Sequence, residues 1–244
     1  ETGMRAVGLF EHGGPEVLQV IDLPSVTAGS GQVRIRNYAA AVNPTDVVGR
    51  NGMRADIQKK DPPPYVPGMD AAGVVDQVGE GVETGIKIGA RVMAMVLPRA
   101  AHGAYREQIV LDQRAVVPAP FGTTHVEACT LPMNALTARL SLDLLGLQSG
   151  QVIAVTGGPG AYGGYVIQLA KADGLTVIAD SSETDRALLK SLGVDVIIER
   201  GEGFAEKIRS EFPKGVDGLA DGDALGLAEG VALGLVDGDA DGTR

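Results

Sequence analysis

Three glycines, Gly157, Gly160 and Gly163, stand between an apolar run at 152–156 and an apolar-periodic stretch at 165–172. The run reads as a buried strand, the stretch as a helix, and the glycines as the turn that joins them. Such a turn lets backbone N–H groups approach a diphosphate closely, and the positive end of the helix dipole favours the anion. A second apolar run at 175–179 completes a βαβ unit, the context a glycine motif needs before it points to a dinucleotide. Gly157, Gly160, Ala161, Tyr162 and Gly163 are therefore the candidate diphosphate contacts. The alternative is a tight strand-to-helix turn that binds nothing. Asp180 lies close to the end of the second strand, where sites that prefer NAD place an acid on the ribose hydroxyls.

A second constellation lies in the first half of the chain. Asn43 carries an amide that suits a carbonyl or carboxamide group, although Asn43-Pro44 also reads as a turn starter. Asp46 is placed to orient Asn43 or a water, or to serve as a helix cap. Tyr65 follows three prolines and either walls a pocket or packs. His12, His102 and His125 are scattered, and of these His102 alone is kept as a faint catalytic candidate.

Composition sets the limits. The net charge of −10 argues against a nucleic-acid or anionic-membrane partner. No run reaches the roughly 18 apolar residues that a membrane span needs. Cys129 is the only cysteine, so there is no internal disulfide and no cysteine-rich metal cluster, and its apolar neighbours suggest a buried, inert thiol. No signal peptide is visible, which suggests a cytoplasmic chain. Glu1-Thr2-Gly3 and Gly242-Thr243-Arg244 read as expression remnants.

The elements that must position these groups fall into two styles. Short runs at 4–10, 17–23, 32–40, 72–78, 90–96 and 104–111, punctuated by glycine, suggest the strands of a partly closed barrel. The stretch 49–67 is polar and ends in prolines, which reads as a rigidified loop. Residues 125–146 have helical periodicity, broken into two helices near Pro132. From Gln151 onward, strands at 152–156, 175–179, 194–198 and 216–220 alternate with helices at 163–173, 183–192 and 203–212, the signature of a parallel sheet. Ser182 and Asp185 resemble a capping box. Residues 224–236 suggest a poor helix with three glycines on one face. Asp237-Gly-Asp-Ala-Asp-Gly242 matches the start of a calcium loop but lacks its closing glutamate, so a disordered acidic end is the stronger reading.

Together these segments resemble the medium-chain dehydrogenase/reductase superfamily, in its zinc-free, quinone oxidoreductase-like branch. The resemblance is carried by Ala41-Val-Asn-Pro-Thr-Asp46, Val66-Pro-Gly-Met-Asp-Ala-Ala-Gly-Val-Val75, Val78-Gly-Glu-Gly-Val82, Gly103-Ala-Tyr105, Leu131-Pro-Met-Asn-Ala-Leu-Thr-Ala138, and the glycine turn with Gln168-Leu-Ala-Lys171. It implies an α/β plus β fold: a GroES-like β-barrel domain at 4–120, then a Rossmann parallel-sheet domain at 121–242 that is truncated at its C-terminus. Zinc-dependent relatives bind metal at places held here by Asn43, Met69 and either Met133 or Asn134, so no metal is expected.

What the resemblance implies for function is hydride transfer from NADPH to a quinone or an activated C=C bond such as an enone or enal. The alternative is a non-catalytic nucleotide-binding fragment or sensor. Asn43, Asp46 and Tyr65 would be the catalytic set. Thr137 resembles a position that contacts the coenzyme. Ser182 and Arg186 fall where zinc-free relatives hold the 2′-phosphate of NADP, Ser181 beside them is a further coenzyme candidate, and Arg200 adds a second guanidinium suited to phosphate. Zinc-free relatives often dimerise through the last strand of the sheet; the resemblance therefore implies a homodimer, set against the absence of that edge strand from this sequence.

Overall fold

A computed structural model describes residues 3–222. The glycine-spaced helix at 224–236 and the acidic hexapeptide at 237–242 lie outside the described residues. The chain divides into two units, Glu1–Met133 and Asn134–Arg244, with the division at the start of a helix.

The first unit is a β structure. Strands β1 (Met4–Gly8) and β2 (Gln19–Leu23) form an antiparallel ribbon. Strands β3 (Gln32–Ala39), β4 (Asp70–Val78), β5 (Arg91–Met95), β6 (Gln108–Asp112) and β7 (Val116–Pro118) form a five-stranded antiparallel sheet in the order β6-β3-β4-β5-β7. Alternation explains the pairing. Val33 and Ile35 of β3 are fully buried, and they pack with Ala71, Val75, Val92, Ala94, Ile109 and Leu111 from the neighbouring strands.

Two expectations need correction here. The polar stretch 49–67 is not all loop: it holds the end of helix α1 (Pro44–Arg50) and a short helix α2 (Ala55–Gln58). The sequence signal for α1 was present, with Asn43 as N-cap, proline at the first helical position and an acid at the third. The expected strand at 104–111 is shorter. Ala104 and Tyr105 donate their N–H groups to the carbonyls of Gly68 and Pro67, which draws this segment away from the ladder and delays β6 to Gln108. Gly103 permits that approach, because a Cβ there would fall on the Val66 carbonyl oxygen.

Pro132 separates α3 (His125–Ala128) from α4 (Pro132–Leu145), in keeping with its inability to continue a helix. Among the described residues no helix is long and apolar enough to cross a membrane.

The second unit is a parallel sheet with helices. Strands β8 (Val152–Thr156), β9 (Thr176–Ser181), β10 (Val196–Glu199) and β11 (Gly218–Asp221) lie in the order β10-β9-β8-β11, every pair parallel. Helices α5 (Ala161–Ala172), α6 (Arg186–Ser191) and α7 (Phe204–Glu211) connect them. Ile153, Val155, Val166, Ile167, Val177 and Leu189 share one fully buried core. Strands covered on both faces explain the unbroken apolar runs.

Helix α5 starts earlier than its periodicity suggests, because Gly160 serves as its N-cap and Gly163 and Gly164 lie inside it. The expected helix at 183–192 begins as a 3-10 turn at Glu183–Asp185. Ser182 does not form the expected capping box: its hydroxyl is held by the Asp185 carboxylate at 2.6 Å and by Thr184.

Candidate functional site

In the first unit the segment Asn43–Asp46, the start of β4 and Tyr105 converge. Asn43 precedes a proline-initiated helix, so its backbone is extended and its N–H points back at the third helical residue. That residue is Asp46, whose Oδ2 accepts the Asn43 N–H at 2.8 Å and the Tyr105 hydroxyl at 3.1 Å. Its Oδ1 accepts the Gly68 N–H at 2.9 Å. Asn43 and Asp46 are both buried.

The Asn43 amide donates from Nδ2 to Asp70 Oδ2 at 2.6 Å, while Asp70 Oδ1 accepts the Met133 N–H at 2.6 Å. Asn43, Met69 and Met133 thus gather around the start of β4. Thr45 donates to the Met69 sulfur at 3.2 Å.

Burial sets the electrostatics. It pushes the Asp46 carboxyl above the ordinary carboxylate value, against the pull of the N–H groups of Asn43 and Gly68 and of the Tyr105 hydroxyl. Burial likewise raises Asp70, opposed by Met133 and Asn43 and reinforced by the nearby charge of Asp46. The Tyr105 phenol is driven well above its usual value by burial and then by Asp46, so it stays protonated and donates.

Sequence reasoning passed over Asp70 and Tyr105 as site residues. The signal for Asp70 was an acid directly ahead of the apolar run Ala71–Val75. Tyr105 was visible only as part of a glycine-containing motif.

Tyr65 belongs to a neighbouring cluster. It is buried, its ring stacks on His12 at 5.6 Å, and its hydroxyl donates to the Asp61 carbonyl at 3.0 Å. His102 has a ring nitrogen 3.0 Å from the Val110 carbonyl oxygen, a structural bond. Cys129 is buried, and burial raises its thiol.

In the second unit the glycine turn leaves β8 and enters α5. Gly157 has φ of +62°, which favours glycine. A Cβ on Gly163 would lie 2.4 Å from the Gly157 carbonyl oxygen and 2.8 Å from Gly158 Cα, so the helix can approach the turn this closely only with hydrogen there. The first N–H groups of α5, at Ala161, Tyr162 and Gly163, have no partner within the helix and are aligned with its dipole. This geometry suits a diphosphate. The Tyr162 side chain turns the other way: it is buried, and its hydroxyl donates to Ser141 Oγ at 2.9 Å. Thr137 lies inside α4, where its carbonyl accepts the Ser141 hydroxyl at 2.9 Å.

The end of β9 carries the other expected coenzyme residues. Asp180 is buried, and its Oδ2 takes the Arg200 Nε at 2.6 Å; its Oδ1 lies 3.4 Å from the Gly158 N. Asp180 and Arg200 are therefore one ion pair rather than two separate contacts. The pair forms because β10 lies beside β9, with Ile198 opposite Asp180 and the Arg200 N–H on the Ser181 carbonyl. Ser181 is buried and donates to the Ser182 carbonyl. Arg186 is half-buried, with Glu183 3.8 Å away.

The first unit's antiparallel sheet is followed in the chain by a parallel sheet with a glycine turn at its first helix. Residues 29–121 match the alcohol dehydrogenase GroES-like domain. The chain is 34% identical to 2-methylene-furan-3-one reductase of Solanum lycopersicum, covering 90% of this chain and 58% of that protein. It is 32% identical to the quinone oxidoreductase of Rattus norvegicus, covering 88% and 64% respectively. A solved structure of an NAD-dependent alcohol dehydrogenase superposes with a TM-score of 0.79 at 33% identity, covering 88% of this chain and 70% of that one. The chain belongs to the medium-chain dehydrogenase/reductase superfamily, in its quinone oxidoreductase-like branch, with a GroES-like domain followed by a Rossmann-type sheet.

Proposed function

We propose that this chain belongs to a zinc-independent reductase that takes a hydride from NADPH and gives it to a quinone or an activated C=C bond, an enone or enal. The observation that carries the reading is the glycine turn at 157–163, closed so tightly on α5 that Gly163 has no room for a side chain. When bound, the nicotinamide supplies the hydride. The chain's own residues bind and orient. The backbone N–H groups at the start of α5 hold the diphosphate, and Ser182 and Arg186 hold the 2′-phosphate.

NADPH is favoured over NADH because Asp180, the acid that would take the ribose hydroxyls, is already engaged by Arg200 at 2.6 Å. Asn43 orients the substrate carbonyl through its amide, and Asp46 and Tyr105 keep the Asn43 loop in place. The donor set supports a zinc-independent reaction. At the places where zinc-dependent relatives carry ligands, the resemblance puts Asn43, Met69 and either Met133 or Asn134, none of which is a thiolate or an imidazole.

The test is NADPH oxidation followed at 340 nm with a simple quinone, alongside calorimetric titration of NADPH and NADH. Turnover with NADPH preferred, and an Arg186→Ala variant that loses NADPH affinity but keeps that for NADH, support the reading. Preference for NADH, an unchanged Arg186→Ala variant or stoichiometric zinc in the pure protein each overturns its corresponding part. Coenzyme binding without turnover would leave a non-catalytic nucleotide binder instead.

A further inference from the structure

Asp70 is the most deeply buried carboxylate among the described residues, and it is committed at both oxygens. Oδ2 accepts from the Asn43 amide and Oδ1 from the Met133 N–H, each at 2.6 Å. Bonds this short to an ionised acceptor are about twice as strong as neutral ones. The two donors lie far apart in the first unit's sequence, in the loop before α1 and in the first turn of α4.

We infer that Asp70 is a positioning residue: one carboxylate fixes the direction of the Asn43 amide and anchors the start of α4. The inference rests on the reading of Asn43 as the group that orients the substrate carbonyl.

The argument is one of hydrogen-bond polarity. The two ends of an asparagine amide are nearly alike in shape, so hydrogen-bond partners choose between them, and here Asp70 acts together with the capping box that Asn43 forms at the start of α1. An acceptor-only partner makes the Nδ2 end compulsory on its side. A carboxylate can do this while also accepting the Met133 N–H, because both its oxygens are acceptors. An amide at position 70 has the same shape but a single acceptor, so one of the two donors would face another donor. Leaving a buried donor unsatisfied costs more than the bond itself contributed.

The chemistry supplies its own control. In the reciprocal exchange, Asn43→Asp with Asp70→Asn, the amide placed at 70 accepts from Met133 and donates to the carboxylate placed at 43. Both buried bonds are then satisfied, but the polarity at position 43 is reversed and the group there can no longer donate.

The experiment compares the parent chain, Asp70→Asn and the double exchange by melting temperature, by KM and kcat for a simple quinone with NADPH, and by NADPH calorimetry. Asp70→Asn is expected to melt about 3–8 °C lower and to raise the quinone KM by about ten-fold or more, with coenzyme affinity unchanged. The double exchange is expected to recover the melting temperature and to keep the raised KM. Three results overturn the inference: a parent-like Asp70→Asn, a double exchange that does not recover the melting temperature, and one that recovers KM as well.

Failure of the functional reading looks different. A parent chain that neither binds nor oxidises NADPH refutes that reading. Asp70 is then judged by the melting temperatures and by the Asn43 side-chain amide resonance in NMR, which should move on Asp70→Asn and otherwise overturns the inference.

Discussion

Adjacent glycines in α5 should respond to alanine in opposite directions. The Cβ added at Gly163 would sit 2.4 Å from the Gly157 carbonyl oxygen and 2.8 Å from Gly158 Cα. Ordinary contact is about 3.5 Å, so the overlap is about 1 Å, and both obstacles are backbone that no rotamer change can move. Relief requires α5 and the turn to separate by a similar distance. Overpacking of this kind costs about 1–3 kcal/mol, or about 2–12 °C in melting temperature for a chain of this size. A displacement of about 1 Å at a positioning turn is worth about a hundred-fold, here in coenzyme affinity.

The Cβ added at Gly164 would meet only Leu192 Cδ1 at 3.7 Å, an ordinary contact. Gly164→Ala should therefore gain about 0.5–1 kcal/mol by removing chain entropy from the unfolded state, a rise of about 1–4 °C. Scanning calorimetry reads the melting temperatures and isothermal titration with NADPH reads the affinity. If Gly163→Ala binds NADPH as tightly as the parent chain, the turn is not the diphosphate cradle. If both variants lose stability equally, the clash is not what distinguishes the two positions.

Further outcomes follow from burial and charge. Asp46 and Asp70 should titrate above 3.8, the ordinary value from which both are raised, when their carboxyl carbons are followed by NMR. A midpoint below that value would mean that the hydrogen bonds outweigh burial. The sign for stability follows. Well below pH 3.8 these groups are protonated in both states, and as pH rises through 3.8 toward their folded values the unfolded chain ionises first. Each therefore lowers stability as pH rises through that interval. Cys129, buried with a raised thiol, should react with a thiol reagent only as fast as the chain unfolds; rapid labelling of the native protein would contradict its burial. Ile167→Ala, in the fully buried core of the second unit, should cost about 2–5 kcal/mol by denaturant titration. A loss under about 1 kcal/mol would mean that the site collapses without leaving a cavity.

The sequence by itself determined the elements whose cause is local. Strand β8 was legible as an apolar run, the break between α3 and α4 followed from Pro132, and the glycine turn was visible from its spacing between a strand and a helix. Element ends were less legible, because they depend on neighbours. Helix α5 begins at Ala161, with Gly160 as its N-cap and Gly163 pressed against Gly157, and β6 begins late because Ala104 and Tyr105 bond to Gly68 and Pro67.

Tertiary structure alone decided the electrostatic partnerships. Asp180 and Arg200 each read as a coenzyme contact until the adjacency of β9 and β10 made them one ion pair. Asp70 stood ahead of the strand expected at 72–78 with no role assigned to it until the fold brought it the Asn43 amide and the Met133 N–H. Periodicity reports which face of an element avoids water. It cannot say which donor, far away along the chain, will satisfy a buried oxygen; that is set by strand order and by the approach of segments distant in sequence.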